Sequence, residues 1–281
     1  MELVDISEGY HAGPVSYCAR TKELFVTLSN FKDPDIRNKV YQKADIRLKI
    51  IIVKNINGEW ALTGELPFNN PTYSVGHPSV SITGDTLFFT SNIPDLGKGA
   101  TDIYMTVRNN GVWGEMKNLG SNINTNKNEM FPFLFRNNML IFASNGRESG
   151  KDDLDLYFSC ISKDGFSTPQ KMDRFNTEAD DFGLVIHKNE EIGYFTSGRV
   201  DGKGSDDIYK VEFDGIYNLE LTVLDKATMK EIPNPKVSFD DNVVAVLAGL
   251  ILKRLLKKNS TYVATNQIDG YMNSSKTITT V

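Results

Sequence analysis

The chain alternates between short apolar runs and polar, glycine-rich loops, and this alternation returns at a fixed interval. Runs at 86–90, 139–143 and 192–196 combine β-branched, aromatic and other apolar residues, which favours buried strands. A serine ends each run, and successive serines are 53 residues apart: Ser91, Ser144 and Ser197. A period of this length with several strand-like segments per unit predicts a propeller or a similar array.

A second signature follows each serine by ten or eleven residues and consists of an aspartate, an aliphatic residue and a tyrosine. The aspartates are Asp102, Asp155 and Asp207, and the tyrosines are Tyr104, Tyr157 and Tyr209. A large aromatic residue also recurs at a spacing of 53, at Trp60, Trp113 and Phe166. Four strand-like segments in each unit are typical of one propeller blade.

We therefore predict an all-β fold, with a β-propeller over 1–215 and a small β-sandwich over 216–281. Four four-stranded blades are visible, and upstream residues could extend the ring to five. The first unit is degenerate, because 31–46 is inserted and Lys49 stands near the expected aspartate. The insertion is interpreted as a tolerated surface loop, with a contact element as the alternative. The apolar and basic stretch 243–258 favours strand, turn and strand over an amphipathic surface helix.

Because the aspartates recur in successive units, we predict that they have a structural role rather than a catalytic one. We interpret the three aspartates as acceptors for N–H groups of the preceding loop, which would fix the entry to the third strand. Calcium binding is the alternative, but these loops lack the alternating acidic ligands and closing glutamate of an EF-hand. His77 is matched to Glu129 and Asp181 at spacings of 52, and is interpreted as a polar residue that precedes a strand.

Composition and motifs narrow the function. Apolar residues make up 40% and the net charge is −5 with both signs interspersed, so nucleic acid is not expected as a partner. No phosphate-binding loop, dinucleotide fingerprint, nucleophile elbow or zinc-protease motif occurs. We predict no enzymatic activity, no metal and no cofactor. Cys18 and Cys160 are predicted to be buried free thiols. The longest apolar run, 243–252, is too short to span a bilayer.

The repeat unit resembles a known family in its His-Pro-Ser start, its Ser-Asn pair, its Gly-Lys-Gly loop, its Asp-Ile-Tyr and its Trp. The linker 118–125 strengthens the match. The repeat resembles the WD-like propeller of OmpA-family proteins in Bacteroidetes. The segment from 221 onward is similar to a carboxypeptidase-regulatory-like domain. This order resembles the envelope proteins that include the PorE-like component of type IX secretion.

The resemblance implies a scaffold at the periplasmic face of the outer membrane that binds other envelope proteins. Peptidoglycan would be bound only through a further domain, whose residues this chain lacks. No signal peptide is visible at the N-terminus, so the resemblance implies that the chain is a truncated member or a fragment. The alternative function is a propeller hydrolase or a glycan-binding module that uses the central channel.

Overall fold

The described part of the chain consists of β-strands joined by turns and loops. In the computed structural model the described residues are 10–32, 47–94, 96–148, 150–187, 192–212, 217–219, 225, 227–230, 236–239, 242–245, 254–256, 261–267 and 274–279. They contain 23 strands and no helix, which confirms the predicted all-β class. Four successive sheets form a four-bladed propeller arrangement, also as predicted.

Blades I and II are antiparallel sheets in which the strands follow one another in chain order. Blade I contains β1 (Tyr10–Cys18), β2 (Glu23–Lys32), β3 (Leu48–Ile56) and β4 (Glu59–Glu65). Blade II contains β5 (Val75–Val80), β6 (Thr86–Ser91), β7 (Asp102–Asn109), β8 (Val112–Trp113) and β9 (Lys117–Asn118). The fourth position of blade II is shared, because β8 and β9 both pair with β7.

Blades III and IV differ in their outer strands. Blade III contains β10 (Glu129–Phe135), β11 (Met139–Ser144), β12 (Asp155–Ser162), β13 (Gly165–Phe166) and β14 (Gln170–Lys171). Blade IV contains β15 (Asp181–Ile186), β16 (Ile192–Ser197) and β17 (Asp207–Glu212). The predicted four-stranded blade is therefore complete in blades I to III, whereas blade IV has three strands among the described residues.

The apolar runs form the core between neighbouring blades. Because side chains alternate across a strand, each middle strand sends residues to both neighbouring blades. Phe89 and Tyr104 of blade II pack with Phe25 of blade I, whereas Phe88 and Ile103 pack toward blade III. Burying one such side chain contributes about 1.5–3 kcal/mol, so these contacts hold adjacent blades face to face.

The first strands of blades II and III each carry a bulge at a residue in the left-handed region. His77 has φ 51° and Phe131 has φ 52°, and a proline follows each of them. The strand register shifts at both places. His77 is therefore the counterpart of Phe131, and its predicted match to Glu129 and Asp181 is wrong. Those two acids instead begin β10 and β15, as Val75 begins β5.

The C-terminal part contains two further sheets. β18 (Tyr217–Leu219) pairs with β21 (Arg254–Leu256). The second sheet has the order β20–β19–β22–β23, formed by β19 (Lys236–Phe239), β20 (Asn242–Ala245), β22 (Thr261–Gln267) and β23 (Ser274–Thr279). The chain divides into two compact units, Met1–Val185 with Tyr194–Tyr209 and Ile186–Gly193 with Lys210–Val281. The boundary predicted at 215 and the sandwich stay predictions.

Two features of the sequence fall largely outside the described residues. In the insertion 31–46, only the first two residues are described, at the end of β2. In the stretch 243–258, the described residues belong to β20 and β21. No described helix is long and apolar enough to cross a membrane. Cys18 is buried as predicted, whereas Cys160 is only half-buried, and neither forms a disulfide among the described residues.

Candidate functional site

The recurring serines and aspartates lie at one end of the blades. There the loop after the second strand meets the link that leads to the next blade. The main chain joins the two, since Glu129 N–H donates to Thr101 O at 2.8 Å and Asp181 N–H donates to Leu154 O at 2.6 Å. We call this end the loop face, and it comprises the described residues of 66–74, 92–101, 119–128, 145–154, 172–180 and 198–206.

Asp102 anchors the loop of blade II. It is the residue paired with Ser91 at the end of the sheet, and it is almost fully buried. Its carboxylate accepts the N–H groups of Lys98 and Gly99 at 2.5 and 3.1 Å, and the Asn118 amide at 2.7 Å. A side chain at Gly99 would meet the Lys127 carbonyl oxygen at 1.9 Å, so the loop needs glycine there.

Asp207 holds the loop of blade IV in a similar way. The N–H groups of Lys203 and Gly204 donate to its Oδ2 at 2.5 and 2.9 Å. Unlike Asp102, it is only half-buried, since no fourth strand covers it among the described residues. Ser197, which ends the second strand of this blade, is buried and accepts the Arg199 N–H at 3.2 Å.

Asp155 occupies the same position in blade III but has different partners. It pairs with Ser144 across the sheet, and its Oδ2 lies 2.9 Å from Lys171 Nζ. Its Oδ1 is buried and has no hydrogen-bond partner among the described residues. Burial raises the pKa of Asp155 and outweighs the opposing attraction of Lys171. Lys171 also donates to Glu148 at 2.7 Å. Burial alone would lower the pKa of Lys171, but the two carboxylates together outweigh it and keep the pKa above the usual value.

Lys49 takes the same place in blade I with the charges exchanged. Its Nζ lies 2.7 Å from Glu65 Oε1. Glu65, Asn118 and Lys171 follow one another at intervals of 53 residues in the outer strands. The pair is therefore lysine with glutamate in blade I, aspartate with asparagine in blade II, and aspartate with lysine in blade III. The substituted Lys49 has a structural partner in this arrangement.

Three asparagines clamp the third strands, and the sequence-based predictions missed them. Each asparagine uses its amide to bond both the N–H and the C=O of one strand residue, at 2.7–3.1 Å. The pairs are Asn69 with Ile50, Asn124 with Ile103, and Asn176 with Leu156. The available signal is an apolar residue before an asparagine in every link, at Phe68, Ile123 and Phe175.

Two buried acids at the starts of β10 and β15 were assigned only a polar, pre-strand role. Glu129 accepts from Thr125 N and Oγ1 at 2.6 and 2.8 Å, and from Ser144 Oγ at 2.6 Å. Asp181 accepts from Thr177 N and Oγ1 at 2.6 and 2.8 Å. Burial raises the pKa of Glu129 despite these bonds. The threonine four residues earlier in both links is the signal for this motif.

Two arginines tie the loops to the links. Arg199 donates to Phe175 O at 2.9 Å, lies 3.1 Å from Asp181, and stacks 4.6 Å from the Tyr209 ring centroid. Arg147 donates to Ile123 O and lies over the ring of Tyr157 at 5.4 Å. Burial lowers the pKa of Arg147 from its usual value. Both guanidinium groups are engaged by main-chain acceptors and rings of the chain.

The recurring aromatic residues pack within and between blades. Tyr104 and Tyr157 are buried, whereas Tyr209 is half-buried. Three further residues contact rings of other strands edge to face, with centroids 5.7–6.3 Å apart: Trp113 contacts Phe25, Phe166 contacts Phe88, and Trp60 contacts Tyr17. These placements bring the predicted repeat residues into the sheets and their interfaces.

A stack of three rings joins the first strands of blades II, III and IV. His77 stacks on Phe131 with centroids 4.0 Å apart, and Phe131 stacks on Phe182 at 4.7 Å. Burial lowers the pKa of His77 to about 4, so the imidazole is neutral near pH 7. Because one face of His77 and both faces of Phe131 contact other rings, these groups serve packing between blades. No group of three or more potential metal ligands occurs among the described residues.

Comparison with known proteins gives no family. No family model matches the chain, and no curated protein matches it. Solved structures with a likeness include a putative TolB from Agrobacterium tumefaciens, at 10% identity and TM-score 0.40, with 96% of this chain and 82% of that one covered. A β-1,2-mannobiose phosphorylase from Listeria innocua has 10% identity and TM-score 0.43, with 98% and 92% covered. A puromycin-hydrolyzing peptidase of Mycobacterium tuberculosis has 12% identity and TM-score 0.39.

The match to the peptidase includes 97% of this chain but only 37% of the peptidase. At these identities and TM-scores, the likenesses say nothing about the activity of this chain. They do correct one prediction. From its repeats and motifs we concluded that the protein is not an enzyme, and that conclusion was wrong. Enzymes occur among the structures that resemble it, so a propeller with structural repeat residues does not exclude catalysis.

Proposed function

We propose that the protein is a binding scaffold of the cell envelope and that its loop face holds another protein. The observation that supports this most is a contrast within the loop face. Hydrogen bonds fix the main chain of the loops and links, whereas the exposed side chains of the loops differ from blade to blade. The main chain of the loops, links and third strands is held by hydrogen bonds to four buried side chains: Asp102, Asn124, Glu129 and Asp181. A rigid frame that presents different loops is a suitable binding surface.

The rim of the loop face differs from blade to blade. Leu96 in the blade II loop is 57% exposed, and Val200 in the blade IV loop is fully exposed. Charged side chains lie on the intervening loop and link, where Asp152 and Glu178 are each 92% exposed and pair with Lys127 and Lys151. Exposed apolar residues among charged ones are typical of protein contact surfaces. The proposed partner therefore covers apolar side chains and meets charged groups of both signs opposite blade III.

A capture experiment with the intact chain tests this proposal. Bacterial envelope proteins are passed over the immobilised protein and over the variants Leu96→Asp and Val200→Asp. We expect one or more envelope proteins to be retained, with at least a tenfold loss in either variant. Ile82→Asp and Val112→Asp are matched controls, because these exposed residues lie at the opposite end of the blades, Ile82 in a turn and Val112 at the start of β8. No retention, or equal losses in all four variants, would contradict the proposal.

The alternative function is a propeller hydrolase or glycan-binding module that uses the central channel. Phe131 and Phe182 are half-buried in the first strands of blades III and IV, and Glu129 and Asp181 begin these strands. Both acids are fully buried and hydrogen-bonded, so catalysis would require the links to open. Binding to a panel of glycans, or hydrolysis that is lost in Glu129→Gln, would favour this function over the scaffold.

The compartment and the complete architecture belong to the same proposal. The resemblance of the repeats to OmpA-family envelope proteins of the PorE-like type supports a location at the periplasmic face of the outer membrane. It also supports a five-bladed ring and a regulatory-like sandwich in the C-terminal unit. Fractionation of cells that express the native gene tests the location: recovery in the cytoplasm would contradict it.

A further inference from the structure

Blades I and II share a two-residue turn of the same sequence after their third strands. In blade I it is Asn57-Gly58, between β3 and β4, and in blade II it is Asn110-Gly111, between β7 and β8. All four residues have positive φ, at 56° and 98° in blade I and at 50° and 82° in blade II. This is the tight hairpin turn that asparagine followed by glycine favours. All four residues are exposed to water.

An asparagine that precedes a glycine can react with its own main chain. The glycine nitrogen attacks Cγ of the asparagine, so an N–Cγ bond forms, the Cγ–Nδ2 bond breaks and ammonia leaves. Water then opens the resulting five-membered succinimide at either carbonyl, which yields aspartate or isoaspartate. Because the nitrogen attacks after it loses its proton, an N–H that donates a hydrogen bond within the protein reacts more slowly than one exposed to water.

In blade I a neighbouring side chain holds the glycine of the turn. Gly58 N–H donates to Asn55 Oδ1 at 3.1 Å. Asn55 is itself fixed by the sheet, since it pairs with Trp60 of β4 and its N–H donates to Lys22 O at 3.2 Å. The nitrogen that would attack Asn57 is therefore engaged in a hydrogen bond.

In blade II the corresponding side chain is used elsewhere. Arg108 takes the place of Asn55, since it stands 53 residues later and two residues before the asparagine of the turn. Its guanidinium group donates to Glu23 of blade I at 2.8 Å. No described residue accepts a hydrogen bond from Gly111 N–H. The attacking nitrogen of this turn is therefore open to water.

The third asparagine–glycine pair of the sequence lies in the blade III loop and is held more firmly. Asn145 Oδ1 accepts from Asn128 N–H at 3.0 Å, and its Nδ2 donates to Asp152 O at 2.9 Å. Gly146 N–H donates to Ser144 Oγ at 3.2 Å. These bonds hold both the amide that would be attacked and the nitrogen that would attack it.

We propose that Asn110 is a site of spontaneous conversion to aspartate and isoaspartate, and that it reacts faster than Asn57 and Asn145. The choice among the three rests on the hydrogen bonds of the folded chain, since the same residue follows each asparagine. The turn lies at the end of β7 opposite Asp102, away from the loop face, so this modification is independent of the proposed binding function.

The position of the turn gives the conversion a structural effect. Isoaspartate adds one carbon atom to the main chain of the turn, and both products add a negative charge. The turn sets the pairing of Arg108 with Trp113, and Trp113 contacts Phe25 of blade I with ring centroids 5.7 Å apart. Conversion of Asn110 should therefore weaken the contact between blades I and II as the protein ages.

Peptide mapping of the full chain measures the three rates side by side. The folded protein is stored at mildly alkaline pH, and trypsin then releases the three asparagines in separate peptides, 55–98, 109–117 and 137–147. Mass spectrometry detects the replacement of the amide NH₂ by OH, and fragment ions assign the residue. Labelling by an isoaspartyl methyltransferase identifies the isoaspartate product. We expect Asn110 to react at least tenfold faster than Asn57 and Asn145.

Two variants test the cause of the difference. Asn55→Ala removes the acceptor of Gly58 N–H, so the rate at Asn57 should rise at least fivefold while the rate at Asn110 stays unchanged. Asn110→Gln keeps an amide but would need a six-membered ring, so the conversion in peptide 109–117 should disappear. Stored Asn110→Gln should also keep its thermal unfolding temperature, whereas that of the stored wild type should fall.

Unfolding the chain in guanidinium chloride separates the effect of structure from that of sequence. Without the fold, the three asparagines should react at rates within about threefold of one another, because each is followed by glycine. Three results would overturn the inference. The first is a rate at Asn110 in the folded chain that does not exceed those at Asn57 and Asn145. The second is the same ratio of rates in the unfolded chain, and the third is an unchanged rate at Asn57 in Asn55→Ala.

Discussion

Blades I and III carry opposite charges at the same two places of their sheets. In blade I, Lys49 is the second residue of the third strand and Glu65 ends the outer strand, with side chains 28% and 45% exposed. In blade III, Asp155 and Lys171 take these places and are 3% and 22% exposed. The shared geometry requires complementary partners, whereas burial decides how much each pair contributes to stability.

The largest expected effect follows from removing one partner of each pair. Lys171→Met leaves the Asp155 carboxylate buried without its counter-charge, which should lower the free energy of unfolding by about 3 kcal/mol. Lys49→Met should cost less than about 1 kcal/mol, because water screens the partly exposed pair. Urea unfolding followed by circular dichroism measures both. Equal losses would show that burial does not distinguish the two blades.

The asparagine clamps provide the next largest effect, at a feature that the blades share. Asn124→Ala removes two hydrogen bonds to the main chain of Ile103 in a buried position, which should cost about 2 kcal/mol. Asn122→Ala is the matched control two residues earlier. Its exposed amide bonds Phe166 O at 2.7 Å, and its loss should cost less than about 1 kcal/mol. Unfolding curves that coincide for the two variants would contradict this role.

The pH dependence should have opposite signs at two buried acids. The raised pKa of Asp155 gives stability that is complete below its unfolded value of 3.8 and is lost as pH rises through the folded value. Asp155→Asn should therefore gain stability relative to the wild type as pH increases through this window. At Glu23, burial raises the pKa, but hydrogen bonds from Arg108 outweigh it and the net shift is downward.

The stability that Glu23 provides is present above its unfolded value of 4.5 and is lost as pH falls. Glu23→Gln should consequently lose stability relative to the wild type as pH rises from 3 to 6. Thermal unfolding at several pH values gives both differences. Slopes of the same sign in the two variants would show that the pairing of Asp155 resembles that of Glu23.

The smallest expected effect is the exchange of charges within blade I. Lys49→Glu places two carboxylates side by side and should cost about 1 kcal/mol. Adding Glu65→Lys should restore the stability to within about 0.5 kcal/mol of the wild type, because it creates the polarity that blade III uses. A double-mutant cycle from urea unfolding measures the coupling. A double variant as unstable as the single one would mean that the two blades differ in more than charge.

The predictions from sequence were most accurate where one pattern repeats. Strand-like runs at a spacing of 53 residues identified the blades, because a buried strand needs a run of apolar residues whatever its neighbours are. The partners of the loop face were harder to predict. The clamp of Asn124 on Ile103 joins residues 21 positions apart, and asparagine is common in loops, so neither residue points to the other.

The position of His77 shows why alignment by spacing failed. Its offset of 52 to Glu129 seemed to match the repeat, but the structural counterpart is Phe131, two residues further on. Links differ in length by one or two residues between blades, and only strand pairing fixes which residues correspond. The left-handed conformation at both residues and the stacked rings identify the pair.

The sequence by itself determined that this protein is built from repeated β-sheets, since the period and the apolar runs dictate strands and turns. Only the tertiary structure decided how each repeat neutralises its buried polar groups. The same aspartate position is held by loop N–H groups in blade II and by lysine in blade III, and it becomes a lysine in blade I. Contacts between strands and links far apart in the chain set these choices, because the energy of a buried charge depends on its neighbours in space.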